Sequence, residues 1–446
     1  MGDWVGSEMK DAESNVTDIP LQTSDEPCKQ SPAKMGEWLV SEMKDAESKA
    51  EHISIQILKN PRIHKVPRRL LQIHGDADLF EPQVVSIGPY HYDKPRLMLM
   101  QDFKKAATKW FIDKASLGLE SFYAKVQEVA QEAKECYAEL PEKLCHDEFV
   151  NMMFFDGCFL LCLIDHFTRD KMEFLPVSKH LQGSIMKDIF MLENQLPYVV
   201  LTALMSLKHV DIPRFFEVYL GTIDNIALPK DPQIHLLGLL RSILVGSPTL
   251  TPPPVRAKYW KTSRSASELV QVGVEINSGE TNNLSDISFV GSYIRGQLLL
   301  PMIIVNDWIL SRFLNLIAFE MSPHSNSDYR ISSYVWFMDQ LIQHKEDVKE
   351  LRANGILLNE LGNDQQVADL FHKMALEIEP DRQVFYGVMR GVDVHCSNKI
   401  RVSIVRPVMV HFSQWGTNPI AFAAATVLLI LTVVQTIYAV KPSGGR

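Results

Sequence analysis

FVNMMFFDGCFLLCLIDHF, residues 149–167, is apolar around its whole circumference when it is read as a helix. Such a pattern is typical of a helix that is buried on every side. Asp156 and Asp165 interrupt the run, and charged side chains of this kind are rare in a helix that crosses lipid. We therefore predict that this helix lies in the core of a large globular domain.

The segments around this stretch predict a domain that is mostly helical. Apolar residues recur at three- and four-residue steps from about residue 102 to 140, which predicts one long helix. Shorter runs bounded by turn residues predict strands near residues 53–67, 82–92 and 273–305. The second of these runs turns at Gly88 and Pro89. The predicted fold class is therefore predominantly α with a minor β portion, in a single large domain over residues 53–410 with a long loop at about 246–282.

The stretch 184–207 is predicted to be helical on both sides of a break at Pro197. Proline has no backbone N–H and disfavours helix at the residue before it. The polar residues Glu193, Asn194 and Gln195 therefore lie where freed carbonyl groups need partners.

Asp156 and Glu193 are the two carboxylates that we expect to be buried. Buried acids mark active sites in many enzymes, and they mark structural networks too. Each lies near a residue that disrupts helices, Gly157 or Pro197, where loose backbone N–H groups need an acceptor. We interpret both carboxylates as structural anchors.

Cys158, Cys162 and His166 are the best candidates for a metal site, because four-residue steps place them on one helix face. Thiolate and imidazole ligands suit zinc, but a closed zinc site needs a fourth ligand, and spacing alone places neither Cys145 nor His146 there. A free cysteine also behaves as a small buried hydrophobic residue. We favour this second interpretation and predict no metal and no other cofactor.

The sequence lacks the common catalytic motifs. It has no nucleophile elbow, phosphate-binding loop, zinc-protease helix or dinucleotide fingerprint. We therefore predict that the protein is not an enzyme. The alternative is an uncharacterised membrane-tethered enzyme that uses a cysteine or a carboxylate.

The charge of the chain is concentrated at its N-terminus. Lys and Arg number 45 against 54 Asp and Glu, a net charge of −9, and residues 1–51 hold twelve acids and five bases, or −7 of it. The remainder is close to neutral, which argues against a nucleic-acid partner. MGDWVGSEMKDAES at 1–14 recurs as MGEWLVSEMKDAES at 35–48. We predict an acidic, disordered N-terminus over residues 1–52 that contains this tandem duplication of 14 residues.

PIAFAAATVLLILTVVQTIYAV, residues 419–440, contains no charge. A bilayer core about 30 Å thick is crossed by about 20 helical residues, so this segment predicts a transmembrane helix with a short tail at 441–446. The lipid bilayer is thus one predicted partner. An anchor so near the end of the chain predicts insertion after synthesis, with the bulk of the protein in the cytosol, at the plasma membrane or the endoplasmic reticulum.

Several strings together resemble the plant family known as domain of unknown function 247, which includes UPF0481-like membrane proteins. The strings are IHKVPRRL (63–70), VVSIGPYHY (84–92), FFDGCFLL (154–161), MLENQLPYVVL (191–201), LNLIAFE (314–320), ISSYVWFMDQLI (331–342) and the apolar C-terminal segment. The resemblance implies a plant protein with one C-terminal transmembrane helix and a function that is largely unestablished. Some grass members are linked to pollen self-incompatibility. One departure is that Cys162 and Asp165 stand where a glutamate is common in the family.

These features together predict a membrane-anchored, non-enzymatic recognition or signalling protein whose helical domain binds an unidentified protein partner. The sequence gives no indication of the oligomeric state.

Overall fold

The computed structural model describes most of the chain from residue 62 to residue 397. The described residues are 40–46, 49, 62–169, 179–221, 223, 225–246, 264–292, 295–323, 328–397, 424, 427, 428, 430–432, 434 and 435. The chain divides into two units, Met1–Gln56 and Ile57–Arg446. In the first unit, residues 40–46 form a helix with exposed side chains. The rest of the predicted disordered N-terminus lies outside the described residues, except residue 49.

The described part of the second unit is predominantly helical, which confirms the predicted class. Its α-helices are α1 (Arg68–His74), α2 (Met100–Asp113), α3 (Leu119–Glu135), α4 (His146–Thr168), α5 (Lys179–Asp188), α6 (Tyr198–Met205), α7 (Ile212–Leu220), α8 (Leu236–Val245), α9 (Ala266–Gln271), α10 (Ile309–Glu320), α11 (Arg330–Leu341), α12 (Lys345–Ala353), α13 (Asp364–Met374) and α14 (Tyr386–Cys396). Two short 3-10 helices span Ala77–Leu79 and Pro95–Leu97.

Helix α4 is the central element of the core. Every residue from Asp156 to His166 is buried, and the helix packs against α2, α3, α6 and α7. By length and composition α4 could cross a membrane, but 83% of its most apolar stretch is buried inside the fold. The prediction of a core helix over 149–167 is therefore confirmed.

The single helix predicted over residues 102–140 is in fact two helices. Helix α2 ends at Asp113, and α3 begins after Gly118, whose φ of −77° and ψ of 170° are extended rather than helical. The turn between them brings Phe111 and Phe122 into edge-on contact, with 5.9 Å between ring centroids. Two helices thus pack on α4 where one straight helix would leave part of its apolar face uncovered.

The strands form a minor part of the fold and lie later in the chain than two of the predicted runs. Strands β1 (Val274–Ser278), β2 (Ser288–Gly291) and β3 (Gly296–Leu300) form a sheet in the order β1-β3-β2, and β4 (Ile303–Val305) pairs with β5 (Leu357–Asn359). Strand β3 is parallel to β1, with Val274 opposite Gly296, and antiparallel to β2. Strand β4 is parallel to β5. In the predicted loop 246–282, α9 and β1 occupy much of the described part, and residues 247–263 lie outside the described residues.

The strand predicted over residues 82–92 is not formed. The segment bends at residues 83–84 and 88–91, and side chains rather than a neighbouring strand bind its N–H groups. The run at 53–67 forms only an isolated bridge between Ile63 and Tyr137 in its described part.

The predicted transmembrane segment 419–440 lies largely outside the described residues. Its described residues, 424, 427, 428, 430–432, 434 and 435, are helical and exposed.

Candidate functional site

A buried polar network surrounds segment 83–91, which we call the strap. Asp188, the last residue of α5, accepts hydrogen bonds from the N–H groups of residues 83–85 at 2.7–3.0 Å. The carboxylate is fully buried. Burial raises the pKa of Asp188 to about 6, although the three backbone donors act in the opposite direction. Asp188 therefore supplies the acceptors that a neighbouring strand would otherwise provide.

Asn194 joins the strap to the break between α5 and α6. Its Oδ1 accepts from the N–H of Ile87 at 2.6 Å, and its Nδ2 donates to the carbonyl groups of Val85 and Asp188, both at 3.0 Å. A buried amide with this many partners holds one backbone geometry.

Gln195 binds the carbonyl groups that the helix break frees. Its Nε2 donates to the carbonyl oxygens of Ile189 and Met191 at 2.8 Å each. Its Oε1 accepts from Leu237 N–H at 3.0 Å, at the start of α8. Through Gln195, the break between α5 and α6 is thus also bonded to the start of α8. Pro197 stands at the N-cap of α6 and ends the break.

Asp156 forms a buried ion pair with Lys104 of α2. The Lys104 Nζ and Asp156 Oδ1 atoms are 2.5 Å apart, and both side chains are 2% exposed. The Oδ2 atom accepts from Gly88 N–H in the strap at 2.8 Å. Burial raises the pKa of Asp156, and the Lys104 charge opposes that rise. The carboxylate thus connects the core helix α4 both to α2 and to the strap.

Gly88 occupies a position in the strap that other residues would not fit. Its φ is +72°, and a Cβ there would lie 2.6 Å from the Gln195 carbonyl oxygen and 2.7 Å from the Tyr137 hydroxyl. That hydroxyl donates to the same Gln195 oxygen at 3.0 Å. The predicted turn at Gly88 and Pro89 therefore lies directly against the helix break.

Gly157 does not disrupt a helix, contrary to the interpretation made from the sequence. Helix α4 runs through it without a break. A Cβ at Gly157 would lie 2.6 Å from Leu204 Cδ1 and 3.3 Å from Val200 Cγ1, both in α6. The glycine therefore permits close packing of α4 on α6.

Glu193 lies at the edge of the network. Its Oε1 accepts from Val66 N–H at 2.7 Å, and its Oε2 is 3.4 Å from His91 Nε2. Burial raises the pKa of Glu193 and lowers that of His91 to about 4. His91 is thus neutral near pH 7. The carboxylate ties the chain before α1 to the break.

The two cysteines of α4, Cys158 and Cys162, are buried in the core. The His166 Nδ1 atom donates to the Cys162 carbonyl oxygen at 2.8 Å and is 3.6 Å from its sulfur. Burial raises the pKa of Cys162 to about 12, and it raises that of Cys158 still further. Within the described ranges, no three His, Cys, Asp or Glu side chains are placed to hold a metal ion.

Comparison with known proteins places the chain in a family. Residues 63–431 match the profile of domain of unknown function 247, a plant protein of unknown function. The chain belongs to this family. It is 26% identical to UPF0481 protein At3g47200 of Arabidopsis thaliana, with 85% of this chain and 86% of that protein aligned. It is 21% identical to putative UPF0481 protein At3g02645 of Arabidopsis thaliana, over 84% of this chain and 89% of that protein. No solved structure matches the chain.

Three of the strings that carry the resemblance to domain of unknown function 247 meet in the network. VVSIGPYHY supplies the strap, FFDGCFLL supplies Asp156 and Gly157, and MLENQLPYVVL supplies the helix break. These three strings of the family resemblance are therefore packed together around one buried set of polar side chains.

Sequence reasoning missed Lys104 and Asp188 in this network. Lys104 precedes Ala107, Thr108 and Phe111 by three, four and seven residues, so it stands on the buried face of α2. A lone charge on an apolar helix face is a signal that a partner is near. The sequence carries no comparable signal for Asp188, because its partners are more than 100 residues away.

A second buried carboxylate site, also missed, lies between α8, α10 and α11. Glu320 accepts from the N–H groups of Ile331 and Ser332 at 2.9 Å each, at the start of α11. Arg241 of α8 donates to the same carboxylate at 2.7 Å and 2.9 Å through two nitrogens. This arrangement caps a helix and neutralises the charge at once.

Proposed function

We propose that the protein is a single-pass, membrane-anchored recognition or signalling module without enzymatic activity, whose helical domain binds another protein. The proposal rests mainly on segment 419–440, which contains 22 residues and no charge. Its described residues are helical. Their large side chains are 42–64% exposed, namely Val427, Leu428, Ile430, Leu431 and Val434. Exposed apolar surface costs about 25 cal/mol per Å² in water, and a bilayer removes that cost.

The polar side chain of Thr432 is compatible with lipid. Its hydroxyl donates to the Leu428 carbonyl oxygen in the preceding turn at 2.8 Å. A spanning helix must satisfy its polar groups internally, because the hydrocarbon layer offers no water. This bond is what a helix in lipid requires of a threonine. The proposal places the bulk of the chain in the cytosol, at the plasma membrane or the endoplasmic reticulum.

The state of the candidate nucleophiles supports a non-enzymatic role. The thiols of Cys158 and Cys162 are protonated at neutral pH, since burial raises their pKa values, and the thiolate is the reactive form. Asp156 and Glu193 accept hydrogen bonds from the protein's own backbone. A role in pollen self-incompatibility, which the family resemblance raises, is one form that such recognition can take.

Alkaline carbonate extraction of membranes from plant cells that express the full chain tests the anchor. The double variant Leu428→Arg, Leu431→Arg places two charges in the segment, each costing about 2.5–3.5 kcal/mol at the bilayer centre. We expect the wild-type protein to stay in the membrane pellet and the variant to move to the supernatant. The matched control is Val290→Arg, Val394→Arg, which changes two valines of the domain that are 61% and 66% exposed. Release of the wild-type chain, or retention of the charged variant, contradicts the anchor.

Protease protection with tags at both ends tests the orientation of the domain. Asn283 begins an Asn-Leu-Ser glycosylation sequon, but its amide packs against Gly246, where a Cβ would lie 2.3 Å from Nδ2. Protease access is therefore a better reporter than glycosylation of this residue. We expect protease to remove the domain from intact vesicles. A protected domain contradicts the cytosolic placement. Proximity labelling by the anchored chain, compared with its carbonate-soluble variant, then identifies the protein partner.

A further inference from the structure

A cavity of about 60 Å³ lies between α7, β4 and the first turns of α10. Its lining combines aliphatic side chains with polar ones. Its polar lining comes from Tyr219, Asn282, Asn306 and Arg312. About 10–15 Å³ holds one water molecule, so the cavity has room for a group of several heavy atoms.

Arg312 brings an uncompensated positive charge to this cavity. No Asp or Glu is among the lining residues. Across the described ranges, no carboxylate lies within ion-pair distance of its guanidinium. Its Nε atom is buried and has no acceptor among the described protein atoms. A buried donor without an acceptor is unfavourable, and a ligand that supplies the acceptor relieves it.

The neighbours of Arg312 orient the guanidinium without neutralising it. It lies 5.9 Å from the ring centroid of Tyr219 and 6.0 Å from that of Phe313. These are cation–π distances. Burial raises the pKa of Tyr219, and both the Arg312 charge and a hydrogen bond from the Arg312 side chain oppose that rise, so the phenol stays neutral.

Asn306 adds a donor to the cavity. Its Oδ1 accepts from Trp308 N–H at 3.3 Å. The side-chain NH2 group is the remaining polar part of the amide and can only donate. Donors around one cation, in a lining without acids, favour a ligand that is negatively charged and rich in acceptors.

We propose that this cavity binds a compact oxyanion, a phosphate or a carboxylate group, through Arg312. Guanidinium groups match the oxygen pairs of both anions, and hydrogen bonds between charged groups are the strong ones. The volume of about 60 Å³ limits the ligand to one small charged group. This site is independent of the proposed membrane anchor.

Titration calorimetry and thermal unfolding of the full chain in mild detergent test the site, with inorganic phosphate and acetate as probes and chloride at matched ionic strength as the reference. We expect phosphate or acetate to raise the Tm above the chloride reference, and the stronger of the two identifies the class of anion. Equal Tm values in all three salts overturn the proposal.

Arg312→Gln removes the charge and keeps a side chain of similar reach, and we expect anion binding at least tenfold weaker. The matched control is Arg390→Gln, which removes an exposed arginine on α14 and should leave the affinity unchanged. Wild-type affinity in Arg312→Gln overturns the proposal and indicates an adventitious ion only.

Asn306→Asp provides a second test if Arg312→Gln does not fold. The carboxylate retains an acceptor for Trp308 N–H but brings a negative charge to the cavity wall. We expect the Tm shift by phosphate or acetate to disappear. A shift equal to that of the wild-type protein places the anion elsewhere and overturns the proposal.

Discussion

Two apolar stretches of this chain are long enough to cross a membrane, and their polar content differs. In α4, the two acidic side chains inside the apolar run 149–167 have protein partners: Asp156 pairs with Lys104, and Asp165 accepts from Arg169 at 2.7 Å. Segment 419–440 contains no charged residue, and its described side chains are exposed. A charge inside an apolar helix needs a partner that a folded neighbour supplies and lipid does not. The comparison teaches that partnered charges identify a core helix better than hydrophobicity does.

The variant with the largest expected effect removes the carboxylate of α4 that pairs with Lys104 of α2. Asp156→Ala leaves the Lys104 ammonium buried without a counter-ion, and Gly88 N–H loses its acceptor. Breaking a buried ion pair on one side typically costs about 3–5 kcal/mol. We expect a loss of that size in the free energy of unfolding, measured by urea denaturation of the full chain in mild detergent.

The control for this prediction is Asp102→Ala on α2. The Asp102 side chain is 93% exposed and pairs only with Lys105 three residues on, so we expect a change within about 0.5 kcal/mol. Adding Lys104→Met to Asp156→Ala removes the stranded charge and should recover part of the stability. If Asp156→Ala unfolds at the same urea concentration as the wild-type protein, the ion pair does not hold α4 in place.

The parts of the fold that the sequence predicts are those fixed by local pattern. The apolar run 149–167 predicts the buried helix, and Pro197 predicts the break with Gln195 beside freed carbonyl groups. The strap could not be predicted, because its alternation resembles a strand and its N–H groups bind residues about 100 positions away. The turn between α2 and α3 was also missed, since the apolar spacing continues in phase on either side of Gly118. Where side chains accept the backbone hydrogen bonds in place of a neighbouring strand, the sequence shows no periodic pattern that reveals them.

A second prediction uses pH, because the domain contains buried histidines and carboxylates and segment 419–440 contains neither. Burial lowers the pKa of His91 to about 4 and that of His235 to about 3, from 6.5. As the pH falls, the two histidines take up protons in the unfolded chain before they do so in the folded protein. The stability of the folded protein that depends on the neutral histidines is therefore complete above pH 6.5 and is lost below it. Asp188 acts oppositely, because its pKa is raised to about 6 from 3.8 and folding then favours proton uptake below pH 6.

Between pH 7 and pH 5, each histidine lowers the free energy of unfolding by about 2 kcal/mol, and Asp188 raises it by about 1 kcal/mol. We therefore expect the free energy of unfolding to fall by about 3 kcal/mol, while carbonate-resistant membrane attachment stays constant. His235→Asn keeps an acceptor for Gly238 N–H at the N-cap of α8 and does not titrate. It should reduce the acid-induced loss by about 2 kcal/mol. An unchanged loss in this variant means that His235 does not cause it.

The smallest expected effect is a change in packing, which compares added volume in α4 with added volume in segment 419–440. Gly157→Ala places a Cβ 2.6 Å from Leu204 Cδ1, where α4 lies closest to α6. Overpacking of a core typically costs about 1–3 kcal/mol, and Ala gains up to about 1 kcal/mol over Gly in a helix, so we expect a net loss of about 1 kcal/mol in urea denaturation. In the exposed segment, Ala424→Leu adds more atoms and should leave the free energy of unfolding of the domain unchanged, because Ala424 packs against no part of the described core.

Gly387→Ala on α14 separates packing from helix propensity. A Cβ at Gly387 has no heavy atom within 4 Å, so this variant receives the gain in propensity without the collision and should be more stable by up to about 1 kcal/mol. Opposite signs for the two glycines locate the effect at the contact between α4 and α6. If both variants are stabilised equally, Leu204 moves aside at no cost. The core around α4 then tolerates added volume as readily as segment 419–440 does, and only the partnered charges distinguish the two helices.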